Sequence, residues 1–224
     1  IWLDCTDKST MFTSEHATTL AGTTPVAATN DTVRVMYDKG SFGLILRQGT
    51  AGNRPTYNST LFGGAGGLAF DGTNDALKDA ILDKTIPKDH AVLCAFNCTN
   101  FADDRILGGS SAFGSNSFNF QSVSAYALAA GSEITAAADT VLTMRVSGDP
   151  GTNARGTGRT HAADLGVVTG IGSAAVGPIT DFMLGADDNG EFFLGAFMHF
   201  MVFPAANMYM VDKALAHVAN QGGF

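Results

Sequence analysis

An all-β, two-sheet antiparallel sandwich with a short C-terminal helix is the fold this sequence predicts. Three observations predict it. Glycine makes up 27 of 224 residues, about 12% against an ordinary share of roughly 7%, among many Thr, Ser and Asn. Short apolar runs recur between clusters of Gly, Asn, Asp and Pro, the spacing of an antiparallel sandwich. Helical spacing is clear in only one place, at the C-terminal end. The length suits a single domain over 1–224, since sandwiches of roughly 200–250 residues commonly form one.

In chain order the candidate strands are Val33–Tyr37, Phe42–Leu46, Gly67–Asp71, Ala91–Asn97, Phe118–Val123, Val141–Ser147, Asp181–Gly185 and Phe192–Phe203. In Val141–Ser147, Leu142, Met144 and Val146 alternate with Val141, Thr143, Arg145 and Ser147, the pattern of a half-buried strand. Phe192–Phe203 is apolar on both faces. Phe193, Gly195, Phe197, His199, Met201 and Phe203 form one set; Leu194, Ala196, Met198, Phe200 and Val202 form the other. A strand of this kind needs cover on both sides, which predicts a central strand. The helix begins at Asn207, an N-cap candidate, with Met208, Val211, Leu215 and Val218 on one stripe. Lys213 and His217 suit the negative end of the helix dipole, and Gly222 is a stop signal.

Charge excludes one class of function. Lys and Arg number 13 against 21 acids, for a net charge of −8, which argues against nucleic-acid binding. No apolar run approaches the ~20 residues of a membrane-spanning helix. Only Glu15, Glu133 and Glu191 are glutamate; the other acids are aspartate, a residue of turns and oxygen-ligand sites. Cys5, Cys94 and Cys98 are an odd number that fits no disulfide framework, and Cys94 and Cys98, in an apolar run, read as buried free thiols. The chain begins Ile1-Trp2-Leu3 without Met, as a processed product or a piece of a longer protein would.

An ordered set of motifs runs through the first 75 residues. Trp2-Leu3-Asp4 is followed by Asp7 and Ser9, then by Gly22-Thr23-Thr24-Pro25-Val26 and Asp38-Lys39-Gly40-Ser41. Asn53-Arg54-Pro55-Thr56-Tyr57 and Phe70-Asp71-Gly72-Thr73-Asn74-Asp75 complete it. In this order the set resembles the opening of concanavalin A-like, laminin-G-like jelly-roll domains of bacteriophage virion and bacterial surface proteins. The Asp187-Asp188-Asn189-Gly190 turn, the long Phe192–Phe203 run and the closing helix are similar to the end of such domains. Cys5 departs from the small Ala common at its position, and Phe42–Leu46 replaces a more polar stretch.

The resemblance implies a virion or surface location, with virion or surface proteins and glycans as partners, and assembly into a homo-oligomer or larger particle. It also implies a rim calcium, for which Asp71, Asp75, Asp187 and Asp188 are the candidate ligands. Tyr37, Tyr57 and Tyr126 are candidate sugar-stacking rings. Trp2 reads as a core anchor and His199, on an apolar face, as a hydrogen-bonded core histidine.

Signals of catalysis are sparse. The jelly-roll glucanases set Glu, Asp and Glu at alternating positions of one strand, and no such run exists here. There is no Gly-x-Ser-x-Gly elbow and no zinc-type spacing around Cys94 and Cys98. The expectation is therefore a non-catalytic virion structural or adhesion protein. Two alternatives stand beside it: a purely structural decoration or fibre subunit, and a glycan-acting hydrolase with an unrecognised acid pair.

Overall fold

The computed structural model describes residues 1–19, 21–79, 85–86, 90–98, 105–108, 118–122, 125–128, 133–135, 139–147, 155–160, 164–169, 179–180, 182–186, 192–204 and 210–222. Side chains are described at 1–19, 21–79, 93–97, 182–186, 192–204 and 210–222. The strands of the first half are β1 (Trp2–Asp4), β2 (Met11–Glu15), β3 (Gly22–Pro25), β4 (Val35–Tyr37), β5 (Ile45–Arg47), β6 (Thr56–Asn58), β7 (Gly67–Asp71), β8 (Leu77–Asp79), β9 (Thr85–Ile86) and β10 (His90–Cys98). Those that follow are β11 (Arg105–Gly108), β12 (Phe118–Ser122), β13 (Ala125–Leu128), β14 (Glu133–Thr135), β15 (Asp139–Ser147), β16 (Arg155–Thr160), β17 (Asp164–Thr169), β18 (Ile179–Thr180), β19 (Met183–Leu184) and β20 (Leu194–Pro204). The chain then forms α1 (Val211–Gly222), the only α-helix among the described residues.

These strands make the predicted two-sheet antiparallel sandwich. One sheet has eight strands in the order β17-β16-β15-β10-β20-β7-β6, with β1 also paired to β20. The other has ten, in the order β14-β13-β12-β11-β19-β8-β5-β4-β2-β3. A small third sheet pairs β18 with β9. Among the described residues no helix is long and apolar enough to cross a membrane.

The long strand β20 is central, as its two apolar faces predict, but the faces do not alternate throughout. Ala95 pairs with His199 and Phe96 with Phe197, so Met198 is the extra residue of a β-bulge. Phe193, Phe197, Phe200 and Val202 therefore share the inter-sheet core with Leu3, Met11, Leu46, Phe70, Leu77 and Phe96. Phe193 stacks on Phe197 at 4.4 Å, and Phe70 meets Phe197 edge-on at 5.4 Å. Met198 and Met201 face the other way, onto Leu215, Val218 and Ala219 of α1. The molecule thus has three layers: sheet, central sheet, helix.

Local chemistry moves one element. The run Phe42–Leu46 becomes a strand only at Ile45–Arg47. Asp38 is the reason: its Oδ1 accepts from the amides of Trp2 and Gly40 and its Oδ2 from Gly43. A side chain that takes local backbone donors competes with the ladder. The helix starts at Val211, and the expected cap Asn207 lies outside the described residues. Leu215 and Val218 are buried, as the apolar stripe predicts. Cys5 and Cys94 are buried free thiols whose acidities burial pushes well down, that is, with pKa values raised.

Candidate functional site

Strand β7 ends at Asp71, where the chain must turn sharply. Gly72 takes φ of 72°, and a Cβ there would lie 2.7 Å from Leu194 Cβ. Its amide donates to Phe193 O, just before the neighbouring strand β20. Asp71 Oδ1 then accepts from the amides of Thr73 and Asn74 at 2.8 and 3.1 Å, and from Asp75 at 3.4 Å. In return, the Asp71 amide donates to Asp75 Oδ2 at 3.0 Å. Two carboxylates are thereby locked on one turn in different surroundings. Asp71 is exposed, whereas Asp75 is 6% exposed. Burial, reinforced by the charge of Asp71, pushes the Asp75 carboxyl up to about 6. Nearby, Asn74 Oδ1 is buried and has no hydrogen-bond partner among the described residues.

The floor of this rim is apolar. Ala76, Met183 and Ala186 pack with Phe192, and Ala186 bridges Phe192. Gly185, at φ 82°, lies against Phe70; a side chain there would collide with that ring. Asp187 and Asp188 lie outside the described residues, between Ala186 and Phe192. Asp71 and Asp75 alone do not make a calcium cage. The ion takes six to eight oxygens, and one Asp71 oxygen is already committed to backbone amides. No group of three His, Cys, Asp or Glu that could hold a metal occurs among the described residues.

The two predicted aromatic residues with described side chains, Tyr37 and Tyr57, do not form one platform. Tyr57 is only 4% exposed and packs in the core under Gly66, so its ring offers no face to a sugar; this corrects the sequence expectation. Tyr37 is half-buried, meets Phe12 edge-on at 5.4 Å, and its hydroxyl accepts from the Gly22 amide. Tyr126 is on β13, and its side chain lies outside the described residues.

Two charged clusters escape sequence reasoning, because their members are far apart in the chain. In the first, Glu15 accepts from Arg34, and from Arg47 through two hydrogen bonds of 2.5 Å. These two guanidinium groups, Arg47 foremost, hold the Glu15 carboxyl down to about 2. Arg54 stands beside them and donates to the carbonyls of Gln48 and Gly49. In the second, Asp4 accepts from Lys39 and Thr6 at 2.9 and 2.7 Å, beneath α1. Lys39 also sits 4.6 Å over the Trp2 ring. His199 is 1% exposed within this network, the buried and bonded histidine its apolar strand predicts.

No family model matches the chain, and no curated protein matches it. Solved structures do match in fold. The crystal structure of an arabinofuranosidase complexed with arabinofuranosyl-α-1,2-xylobiose aligns with a TM-score of 0.54 and 12% identity, over 85% of this chain and 51% of that one. A point mutant of a GH54 α-L-arabinofuranosidase, soaked with 4-nitrophenyl α-L-arabinofuranoside, aligns with a TM-score of 0.51 and 13% identity over the same shares. The chain spans about half the length of these structures. At this identity the likeness shows the fold alone. It nevertheless overturns the expectation of a non-catalytic domain. That expectation rested on a missing Glu/Asp/Glu strand run, while sandwiches of this fold occur in enzymes named as arabinofuranosidases.

Proposed function

We propose that this protein is a glycan-acting hydrolase, with buried Asp75 as the proton-holding acid and exposed Asp71 as the carboxyl group beside it. The observation that carries the reading is the Asp71–Asp75 turn. Hydrolysis of a glycosidic bond needs one carboxyl that keeps its proton and one that does not. Burial raises the pKa of Asp75 and so supplies the one that keeps its proton, with a second carboxyl, Asp71, exposed on the same turn. The carboxylate oxygens Asp71 Oδ2 and Asp75 Oδ1 have no hydrogen-bond partner among the described residues. Asn74 Oδ1 adds an acceptor that a sugar hydroxyl would satisfy.

Arabinofuranosyl-substituted glycans are the first substrate class to try, because the proteins that share the fold are named for that sugar. A place in a virion or cell-surface assembly, with its protein partners, is compatible with this reading, since surface glycans are what such an assembly meets.

The test is direct. The folded protein is incubated with 4-nitrophenyl α-L-arabinofuranoside, with arabinosylated xylo-oligosaccharides and with a polysaccharide panel. Released sugars are followed by chromatography. Turnover of any of them supports the reading. Silence on all of them, from protein shown to be folded, overturns it.

A further inference from the structure

Four cations gather around strand β5 of a protein whose net charge is −8. Arg47 of β5 is paired in register with Lys78 of β8, so the two side chains leave the same face of the ten-stranded sheet. Arg34 precedes β4 and meets Arg47 through the carboxylate of Glu15. Arg54 is close enough to both that their positive charges, after burial, lower its pKa. Glu15 neutralises one of these charges and is nearly buried, its side chain 2% exposed. Gly49 lies between Arg47 and Arg54. Its carbonyl accepts from Arg54, and a Cβ built on it would sit 3.7 Å from the Arg47 guanidinium.

Donors outnumber acceptors in this cluster. The Arg34 Nε is buried and has no hydrogen-bond partner among the described residues. Arg47 is one-third exposed and Arg34 somewhat less, so both guanidinium groups can be reached. The aromatic ring of Tyr37 stands on the same face, since Tyr37 pairs with Ile45 and Ile45 is two residues before Arg47. Two guanidinium groups on one internal carboxylate, with a third beside them on backbone carbonyls, leave positive charge for an external one. Guanidinium matches the planar carboxylate through two parallel hydrogen bonds.

We propose that Arg34, Arg47 and Arg54, with Lys78 beside them, form a subsite for the carboxylate of an acidic sugar, a uronate unit of a glycan. Tyr37 lies where a sugar ring could rest next to that carboxylate. This subsite rests on the glycan reading above and narrows it to glycans that carry uronic acids.

The experiment is a calorimetric titration with a galacturonate trisaccharide and with its neutral galactose counterpart, at low and at 0.5 M salt. Wild-type protein should bind the uronate at least about tenfold more tightly than the neutral sugar, and the preference should shrink in high salt. The Gly49→Asp variant sets an internal carboxylate beside Arg47 and Arg54, at a position with room for a Cβ. It should lose the preference at an undiminished melting temperature. Lys78→Gln, at an exposed position, should weaken uronate binding by about two- to fivefold. Equal binding of the two sugars by wild-type protein would overturn the subsite, as would an unchanged preference in folded Gly49→Asp. The hydrolase reading is scored separately, by sugar release. A protein that binds uronate and releases nothing loses only that reading; one that hydrolyses without preference loses only the subsite.

Discussion

His199 Nε2 and Gln221 Oε1 meet at 3.1 Å across the boundary between the central sheet and the C-terminal helix. Trp2 Nε1 donates to the other ring nitrogen at 3.4 Å. These partners place the imidazole proton on Nε2 and tie both the first strand and the last helix to β20. Burial, more than any other influence, lowers the His199 pKa below 6.5; the Asp4 carboxylate and Gln221 act in the opposite direction, and Lys39 and His217 with burial.

A pH dependence follows from that burial. The folded state prefers neutral His199, while an unfolded chain takes up the proton near pH 6.5. The stabilisation is therefore complete above about pH 6.5 and is lost as pH falls towards the lowered folded value. Melting temperatures of wild type and His199→Gln should differ most near pH 7.5, and the difference should narrow as pH falls below 6.5. Gln221→Ala removes one hydrogen bond from the same network. It should cost about 1 kcal/mol, a drop of about 2–4 °C in a chain of this size.

Glu15 gives the opposite test of the fold, in acid. Its carboxyl is held at about 2 by Arg47 and Arg34, against an ordinary 4.5. The contribution is present above pH 4.5 and is lost as pH falls through about 2. Glu15→Gln should lower the melting temperature at pH 7, by an amount equivalent to about 1–2 kcal/mol after solvent screening of the partly exposed arginines. The deficit should close as both proteins are taken towards pH 2. A deficit that stays constant with pH would mean that packing, and not charge, is what Glu15 supplies.

Gly185→Ala probes the floor of the rim. The residue has φ of 82°, which a Cβ disfavours by about 1–2 kcal/mol, and the added methyl meets the Phe70 ring. Loss of about 2–4 kcal/mol, read from chemical denaturation, is the expected outcome. A variant as stable as wild type would show that Phe70 can move aside.

How much of this was legible in the sequence depended on the distance between the residues involved. Gly67–Asp71 is legible with its observed ends, because the apolar run Leu68-Ala69-Phe70 stops at the Asp-Gly turn. The two-sided burial of Phe192–Phe203 was legible from its composition, but the bulge at Met198 was not. A bulge is a property of the pairing with Ala95 and Phe96, over a hundred residues away. Strands such as Gly22–Pro25 carry no apolar pattern and exist through their partner, Met11–Glu15. The Asp71–Asp75 turn was visible as a motif, whereas its packing, through Gly72 on Phe193 and Ala76 on Ala186, draws on segments over a hundred residues away. The arginine cluster draws on positions 15, 34, 47 and 54, which share no spacing and meet only in the folded sheet.

The central claim is that Asp75 holds the proton that cleaves a glycan. The most direct measurement is the pH–rate profile of sugar release, for wild type and Asp75→Asn, on the best substrate of the arabinofuranosyl panel. An acid with a pKa of about 6 must be protonated to act, so wild-type turnover should fall as pH rises through about 6. Asp75→Asn keeps the acceptor for the Asp71 amide and loses the proton. It should retain the fold, lose about 100-fold or more in rate, and show no limb near pH 6. Wild-type rate and profile in folded Asp75→Asn, or no turnover by wild type on any substrate, would contradict the account.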